Sequence, residues 1–232
     1  MDTPRTPPTH PRRVRSFVRR PGRTTPAQRR AFADLLPRYD IDAPDGPVDL
    51  AAVFGRDTRR VLDIGFGDGE ALVTNALNNL GVDYVGIEVH EPGIGHLLLL
   101  LEQSGAHNVR VVTRDAADVV PQLFADSSFD AVDLFFPDPW PKKRHHKRRL
   151  VQPPFVAEIA RILKRGGFLH VATDWADYAR HTREVLAGSA ELVPVEAADM
   201  CHNPLALRPP TKFERRGRTL GHEVVDLFYR KA

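Results

Sequence analysis

One cysteine, Cys201, stands among the 232 residues. A lone thiol closes no intrachain disulfide and builds no thiolate metal cluster. Long apolar runs are missing as well. The longest leucine run, Leu97 to Leu101, is far below the roughly 20 residues that cross a bilayer. The first residues are rich in Arg and Pro and hold no hydrophobic stretch of the kind a secretory signal carries. The expectations are a cytoplasmic protein, no membrane partner and no metal.

Acidic residues are unevenly spread. Residues 1–30 hold nine Arg and one acid, Asp2, and residues 142–149 (KKRHHKRR) hold six Lys/Arg and no acid. Of the formal net charge of +3, these two stretches supply +8 and +6, so the rest of the chain carries −11. An acidic scaffold with two concentrated basic blocks suits a polyanion partner such as a nucleic acid.

The length suits one α/β domain with short additions. Residues 1–14, with four prolines, read as a disordered tail. Residues 15–50 read as a basic arm, with a helix from Pro26 to Leu36 that Thr25 would cap. Residues 51–232 read as the main domain. Strands are expected at Val61–Ile64, Asp83–Val89, Asn108–Thr113, Phe129–Phe136, Phe168–Thr173 and Glu223–Arg230. Helices are expected at Glu70–Leu80, Ile94–Gln103, Phe155–Leu163 (stopped by Gly166 and Gly167) and Tyr178–Leu186. This alternation implies a mostly parallel, doubly wound sheet.

The stretch DIGFGDG (Asp63 to Gly69) joins the first strand to the first helix. Gly65, Gly67 and Gly69 permit a tight turn and close approach of a ligand to the backbone. Their G-x-G-x-G spacing departs from the dinucleotide fingerprint. Glu88 ends the second strand, where an acid can accept from both hydroxyls of a ribose. Asp115 follows the third strand, where it can reach an adenine edge. With Asp63 and Asp138, four acids stand at the carboxyl ends of strands. An anionic ring suits a cation, such as a sulfonium bearing an ammonium group, better than it suits a pyrophosphate.

FFPDPW (Phe135 to Trp140) holds Asp138 between two prolines that restrict the backbone. Trp140 offers a flat face to a base. The basic block follows directly, and its cations would draw a phosphate backbone towards the strand ends. His145 and His146 read as RNA contacts or solvated residues, since no Cys or acid cluster surrounds them. Asp174, in ATDW (Ala172 to Trp175), ends the fifth strand. In TKFERRGR (Thr211 to Arg218), Glu214 could accept from the Watson–Crick edge of an unstacked guanine.

The stretches RSFVRRPGR (Arg15 to Arg23), DIGFGDG, GIEVH (Gly86 to His90), RDA (Arg114 to Ala116), FFPDPWPKKRHHKRR (Phe135 to Arg149), ATDW and RPPTKFERRG (Arg208 to Gly217) occur in order along the chain. On these the sequence resembles the bacterial tRNA (guanine-N(7)-)-methyltransferase family, often called TrmB. The resemblance implies a class I S-adenosylmethionine-dependent methyltransferase fold. That fold is a doubly wound, Rossmann-like, seven-stranded and mostly parallel sheet with an antiparallel last strand. It implies S-adenosyl-L-methionine as cofactor, tRNA as partner and a variable-loop guanine (position 46) as acceptor. It implies donor contacts from Asp63, the glycine loop, Glu88, Asp115 and Asp138, with Asp138 as the active-site acid. Acceptor and RNA contacts would come from Lys142, Arg144, His145, His146, Lys147, Arg148, Arg149, Asp174, Thr211, Lys212, Phe213 and Glu214. Monomer and homodimer both remain open. Competing readings are a non-catalytic RNA-binding module, an NAD-dependent oxidoreductase and a small-molecule methyltransferase. The acid ring, the glycine spacing and the basic block count against these in turn.

Overall fold

The computed structural model describes residues 15–17, 24–41, 46–210, 214 and 223–232. The tail 1–14, most of the loop 43–47, and Thr211, Lys212 and Phe213 lie outside the described residues. The chain runs through α1 (Pro26–Asp34), α2 (Leu36–Tyr39), α3 (Leu50–Phe54), β1 (Arg59–Ile64), α4 (Glu70–Asn78), β2 (Val82–Ile87) and α5 (Glu91–Ser104). Then come β3 (Val109–Val112), α6 (Ala116–Leu123), β4 (Phe129–Phe135), a 3-10 turn at Lys143–Arg148, α7 (Pro153–Ile162) and β5 (Leu163–Thr173). The last part holds α8 (Ala176–Ala187), β6 (Leu192–Val195), α9 (Ala197–Met200), a 3-10 turn at Pro204–Ala206 and β7 (Val225–Lys231).

The strands form one sheet in the order β3-β2-β1-β4-β5-β7-β6. Strands β1 to β5 are parallel, and β7 lies antiparallel between β5 and β6. The strand order reverses between β1 and β4, which opens the crevice where such sheets bind ligands. Every residue of β2 is buried, as expected for a strand covered on both faces. Alternate residues feed two apolar layers. Val61, Val82 and Tyr84 pack with residues of α1, α4 and α5, whereas Leu62, Ile64, Val85 and Ile87 pack with residues of α6, α7 and α8.

Several elements differ from the sequence reading, the short helices α2, α3 and α9 among them. The helix expected over Phe155–Leu163 spans Pro153–Ile162, but Gly166 and Gly167 are not its stop: β5 begins at Leu163 and runs through both glycines. Here Gly166 has φ +78° and the pairing with β4 slips between Phe129 and Ala131. A Cβ on Gly167 would lie 2.9 Å from the Asp130 carbonyl oxygen, so glycine lets the bulged strand pass close to its neighbour. Helix α6 was not expected. Its apolar residues Ala116, Val119, Val120 and Leu123 are spaced for one helix face, but Pro121 interrupts the run. Strand β6 holds Pro194 and pairs, among the described residues, with β7 alone, an edge position that tolerates proline.

Helix α1 begins where the sequence places it. The Gln28 N–H donates to Thr25 Oγ1 at 3.2 Å, and the Thr25 N–H donates to Gln28 Oε1 at 2.9 Å. This capping box satisfies two end donors at once. Gln28 Nε2 also donates to the Pro92 carbonyl at 3.1 Å, tying the arm to the start of α5. Thr25→Ala is expected to cost about 1 kcal/mol, read as a lower midpoint in urea unfolding with faster amide exchange in α1.

Candidate active site

A cavity of about 650 Å³ opens at the carboxyl ends of the parallel strands, lined among others by Gly65, Gly67, Glu88, Asp115 and Asp138. Gly65, Gly67 and Gly69 have φ of +80°, +65° and +80°, a left-handed alternation that residues with a Cβ adopt only under strain. The loop is cross-linked to β2 through Glu88. Its Oε2 accepts from the Gly67 N–H at 3.0 Å, and its Oε1 accepts from the N–H groups of Val89 and His90 at 2.6 and 2.9 Å. Asp115 caps α6 by accepting from the Ala117 N–H at 3.1 Å, and Ser16 Oγ donates to the same oxygen at 3.4 Å.

Asp63 and Gly69 are not part of the lining. Asp63 is buried one residue before Ile64, which does line it, and Gly69 is the N-cap of α4. Burial, then the charge of Glu88, pushes the Asp63 carboxyl up to about 7. Its partner across the β1–β4 pairing is Asp133, also buried, whose carboxyl is raised by burial and then by Asp63. A carboxylate in a low-dielectric setting with a second acid beside it holds its proton. A cation arriving in the cavity would favour the ionised form.

Asp138 sits in a constrained loop. Phe136 and Trp140, on either side of it, have φ of +51° and +45°. Left-handed conformations at residues other than glycine cost about 1–3 kcal/mol each and persist only where neighbours hold them. The holding contacts are present. The Phe136 N–H donates to the Ala172 carbonyl at 2.8 Å, Trp140 Nε1 donates to the Ser16 carbonyl at 3.0 Å, and Arg149 Nε donates to the Pro139 carbonyl at 3.0 Å.

The basic block forms a short 3-10 turn beside this loop. Lys142, Lys143, Arg144 and Lys147 are exposed, while His145, His146 and Arg148 are half-buried. Burial, then the surrounding cations of Arg144, Arg148, Lys142 and Lys147, holds His145 below its ordinary range. Arg149 departs from expectation. It is 3% exposed, donates Nη2 to Asp177 at 2.5 Å and lies against Tyr178, so its charge is paired within the fold. The Arg148 guanidinium lies over the Trp140 ring at 4.1 Å, and Arg148 Nε donates to the Arg15 carbonyl at 3.1 Å.

Asp174 follows β5, half-buried and outside the cavity lining. Glu214 is 2% exposed and accepts from Arg208, so the structure holds it inward rather than open to a base edge. Sequence reasoning passed over Ser16 and Phe17, which line the cavity from the arm, and Gly93, where a Cβ would lie 2.0 Å from the Gly67 carbonyl oxygen. It also passed over Arg208, although that residue opens a quoted stretch. Among the described residues, no three His, Cys, Asp or Glu side chains gather as metal ligands, and no helix is long and apolar enough to cross a membrane.

The family model described as putative methyltransferase matches residues 57–227. The tRNA (guanine-N(7)-)-methyltransferase of Alkalilimnicola ehrlichii is 52% identical over 222 residues, covering 95% of this chain and 93% of that protein. This chain belongs to the tRNA (guanine-N(7)-)-methyltransferase family. Family members from Halorhodospira halophila and Nitrosococcus oceani are 51% and 49% identical, over 95% and 96% of this chain and 96% and 92% of theirs. Among solved structures, the 16S rRNA methyltransferase KamB matches with a TM-score of 0.53 at 16% identity, over 80% of this chain and 95% of that one. An antibiotic-related methyltransferase matches at 0.52 and 17%, over 79% and 92%. These two share the class I methyltransferase fold.

The contact between Gly93 and Gly67 yields a direct test. Gly93→Ala must push the glycine loop away from α5, because the clash is with backbone. Donor affinity is expected to fall by about tenfold or more, since a displacement near 1 Å disrupts a built site, while the circular dichroism spectrum stays unchanged. Calorimetric titration with the donor measures it.

Proposed function

We propose that this protein transfers the methyl group of S-adenosyl-L-methionine to N(7) of guanine 46 in the variable loop of tRNA, forming 7-methylguanosine. The observation that carries this reading is the cavity itself. Glu88, Asp115 and Asp138 line one crevice, with buried Asp63 behind it and exposed cations beside its Asp138 loop. The residues fit the donor. Glu88 keeps one lone-pair direction beyond its three backbone donors, enough to take a ribose hydroxyl. The acids supply negative charge for a sulfonium and an ammonium. In this reading residues 51–232 are the catalytic domain, residues 15–50 a basic arm, and the setting is the cytoplasm.

S-adenosyl-L-methionine supplies a methyl on positively charged sulphur, which a nitrogen lone pair can accept directly with release of S-adenosylhomocysteine. Guanine N(7) carries no proton, so Asp138 need not act as a base. Asp138 orients the base and stabilises the positive charge that the ring gains, by electrostatics set up in advance. Lys142, Arg144 and Lys147 hold the phosphate backbone, with His145, His146 and Arg148 at the inner edge of the same surface. Asp174, Thr211, Lys212, Phe213 and Glu214 serve the acceptor side, and Glu214 would have to leave Arg208, or share it, to meet a guanine edge. Arg149 is assigned to positioning the loop.

Incubation with methyl-labelled donor and unmodified tRNA, followed by strand cleavage at 7-methylguanosine, tests the reading. Label at guanine 46 is expected, and label at another base, or none, overturns it. Asp138→Asn is expected to lower kcat about 10²–10³-fold, the loss typical of one preorganised electrostatic group, with the KM for tRNA little changed.

The titration of Asp63 gives a pH dependence. Below about 7 its carboxyl is protonated in the empty protein. A cationic donor favours the carboxylate, so binding expels a proton and affinity rises with pH. Between pH 6 and pH 8 the donor affinity is expected to rise about tenfold, and Asp63→Asn should flatten the profile. Calorimetry in buffers of different ionisation enthalpy reads the released proton directly.

A further inference from the structure

Arg208 leads into the Thr-Lys-Phe-Glu stretch, and its guanidinium is fully engaged in the fold. Only 9% of its side chain is exposed. Nε donates to Asp226 Oδ1 at 3.0 Å and Nη2 to Asp226 Oδ2 at 3.2 Å, a two-point fork, while Nη1 donates to Glu214. The flat cation lies over the rings of Phe135 and Phe136, 5.7 and 5.4 Å from their centroids. His170 supports the same place from β5. Its Nε2 pairs with Asp226 Oδ1 at 2.7 Å, its ring stacks on Phe228 at 4.0 Å, and Phe135 meets it edge-on at 4.8 Å.

Phe135 is therefore bounded by His170 and Arg208, and Phe136 lies under Arg208 alone among these groups. Both phenylalanines line the cavity and lead straight into Pro137 and Asp138. Phe136 is also one of the two left-handed residues that shape the Asp138 loop. A conformation of that kind needs a neighbour to hold it. A cation anchored by two carboxylates holds it by attraction to the ring.

We propose that Arg208 is a positioning residue for the transfer: anchored by Asp226 and Glu214, it clamps Phe135 and Phe136 and so fixes where Asp138 is presented. This rests on the reading of Asp138 as the active-site acid. Lysine could pair with one carboxylate but offers neither the fork nor the flat face.

A double-mutant cycle on the full-length protein tests it, with Arg208→Lys, Asp138→Asn and the pair. Single-turnover rates at saturating donor and tRNA are divided by the number of donor-binding sites, so that a loss of folded protein does not register. Arg208→Lys is expected to slow the wild-type background about tenfold and the Asp138→Asn background less than about twofold, because coupled residues are non-additive. Asp226→Asn, which loosens the anchor and leaves the guanidinium in place, should repeat that pattern and keeps the test open if Arg208→Lys fails to fold. Equal losses in both backgrounds overturn the proposal alone. An Asp138→Asn protein with undiminished turnover overturns the reading of Asp138, and the proposal with it.

Discussion

Two carboxyl groups excluded from water, Asp63 on β1 and Asp133 on β4, face one another across paired positions of the sheet. Neither can ionise cheaply while the other is charged. The surrounding arrangement manages that constraint. On one side the file continues to His170, whose Nδ1 lies 4.0 Å from Asp133 Oδ1, then to Asp226 and the permanent cation of Arg208. On the other side lies Glu88, whose charge raises Asp63 further, at the edge of the cavity that Arg114 also lines. The fold supplies its own counter-charge at the Arg208 end of the row.

The acid row and the strained loop meet at the switch between β1 and β4. A parallel sheet covered on both faces turns its polar strand ends into one crevice. Glu88 binds the glycine loop to the second strand through three backbone donors, so the floor of the cavity is rigid before any ligand enters. The Asp138 loop is held differently, by contacts from β5, from the arm and from Arg149. One wall is thus part of the sheet, and the other depends on segments distant in sequence.

That difference explains what the sequence disclosed. Period and punctuation in the chain pointed to β1 to β5, to α4 and α5, and to the capped start of α1. The acids at the strand ends were legible because strand ends follow from the strands. Arg149 was not, since a cation within a basic run carries no local mark of facing Asp177. Glu214 has the same difficulty: its partner Arg208 is six residues away, in a stretch with no regular period. The glycines Gly166 and Gly167 looked like a helix stop because a bulge and a stop use the same residue for the same backbone freedom. Gly93 gave no signal of its own, because its purpose is an approach to Gly67 that only the packing of α5 creates.

The arm forms one side of the cavity through Ser16 and Phe17. Among the described residues, Arg15 and Ser16 make three polar attachments to the rest of the fold: Ser16 to Asp115, Trp140 to the Ser16 carbonyl, and Arg148 to the Arg15 carbonyl. At about 1 kcal/mol for each such bond, detaching this side costs far less than parting two sheet strands. Residues 15–17 are therefore the side of the chamber that parts at the least cost in hydrogen bonds, while the glycine-loop floor keeps its three bonds to Glu88.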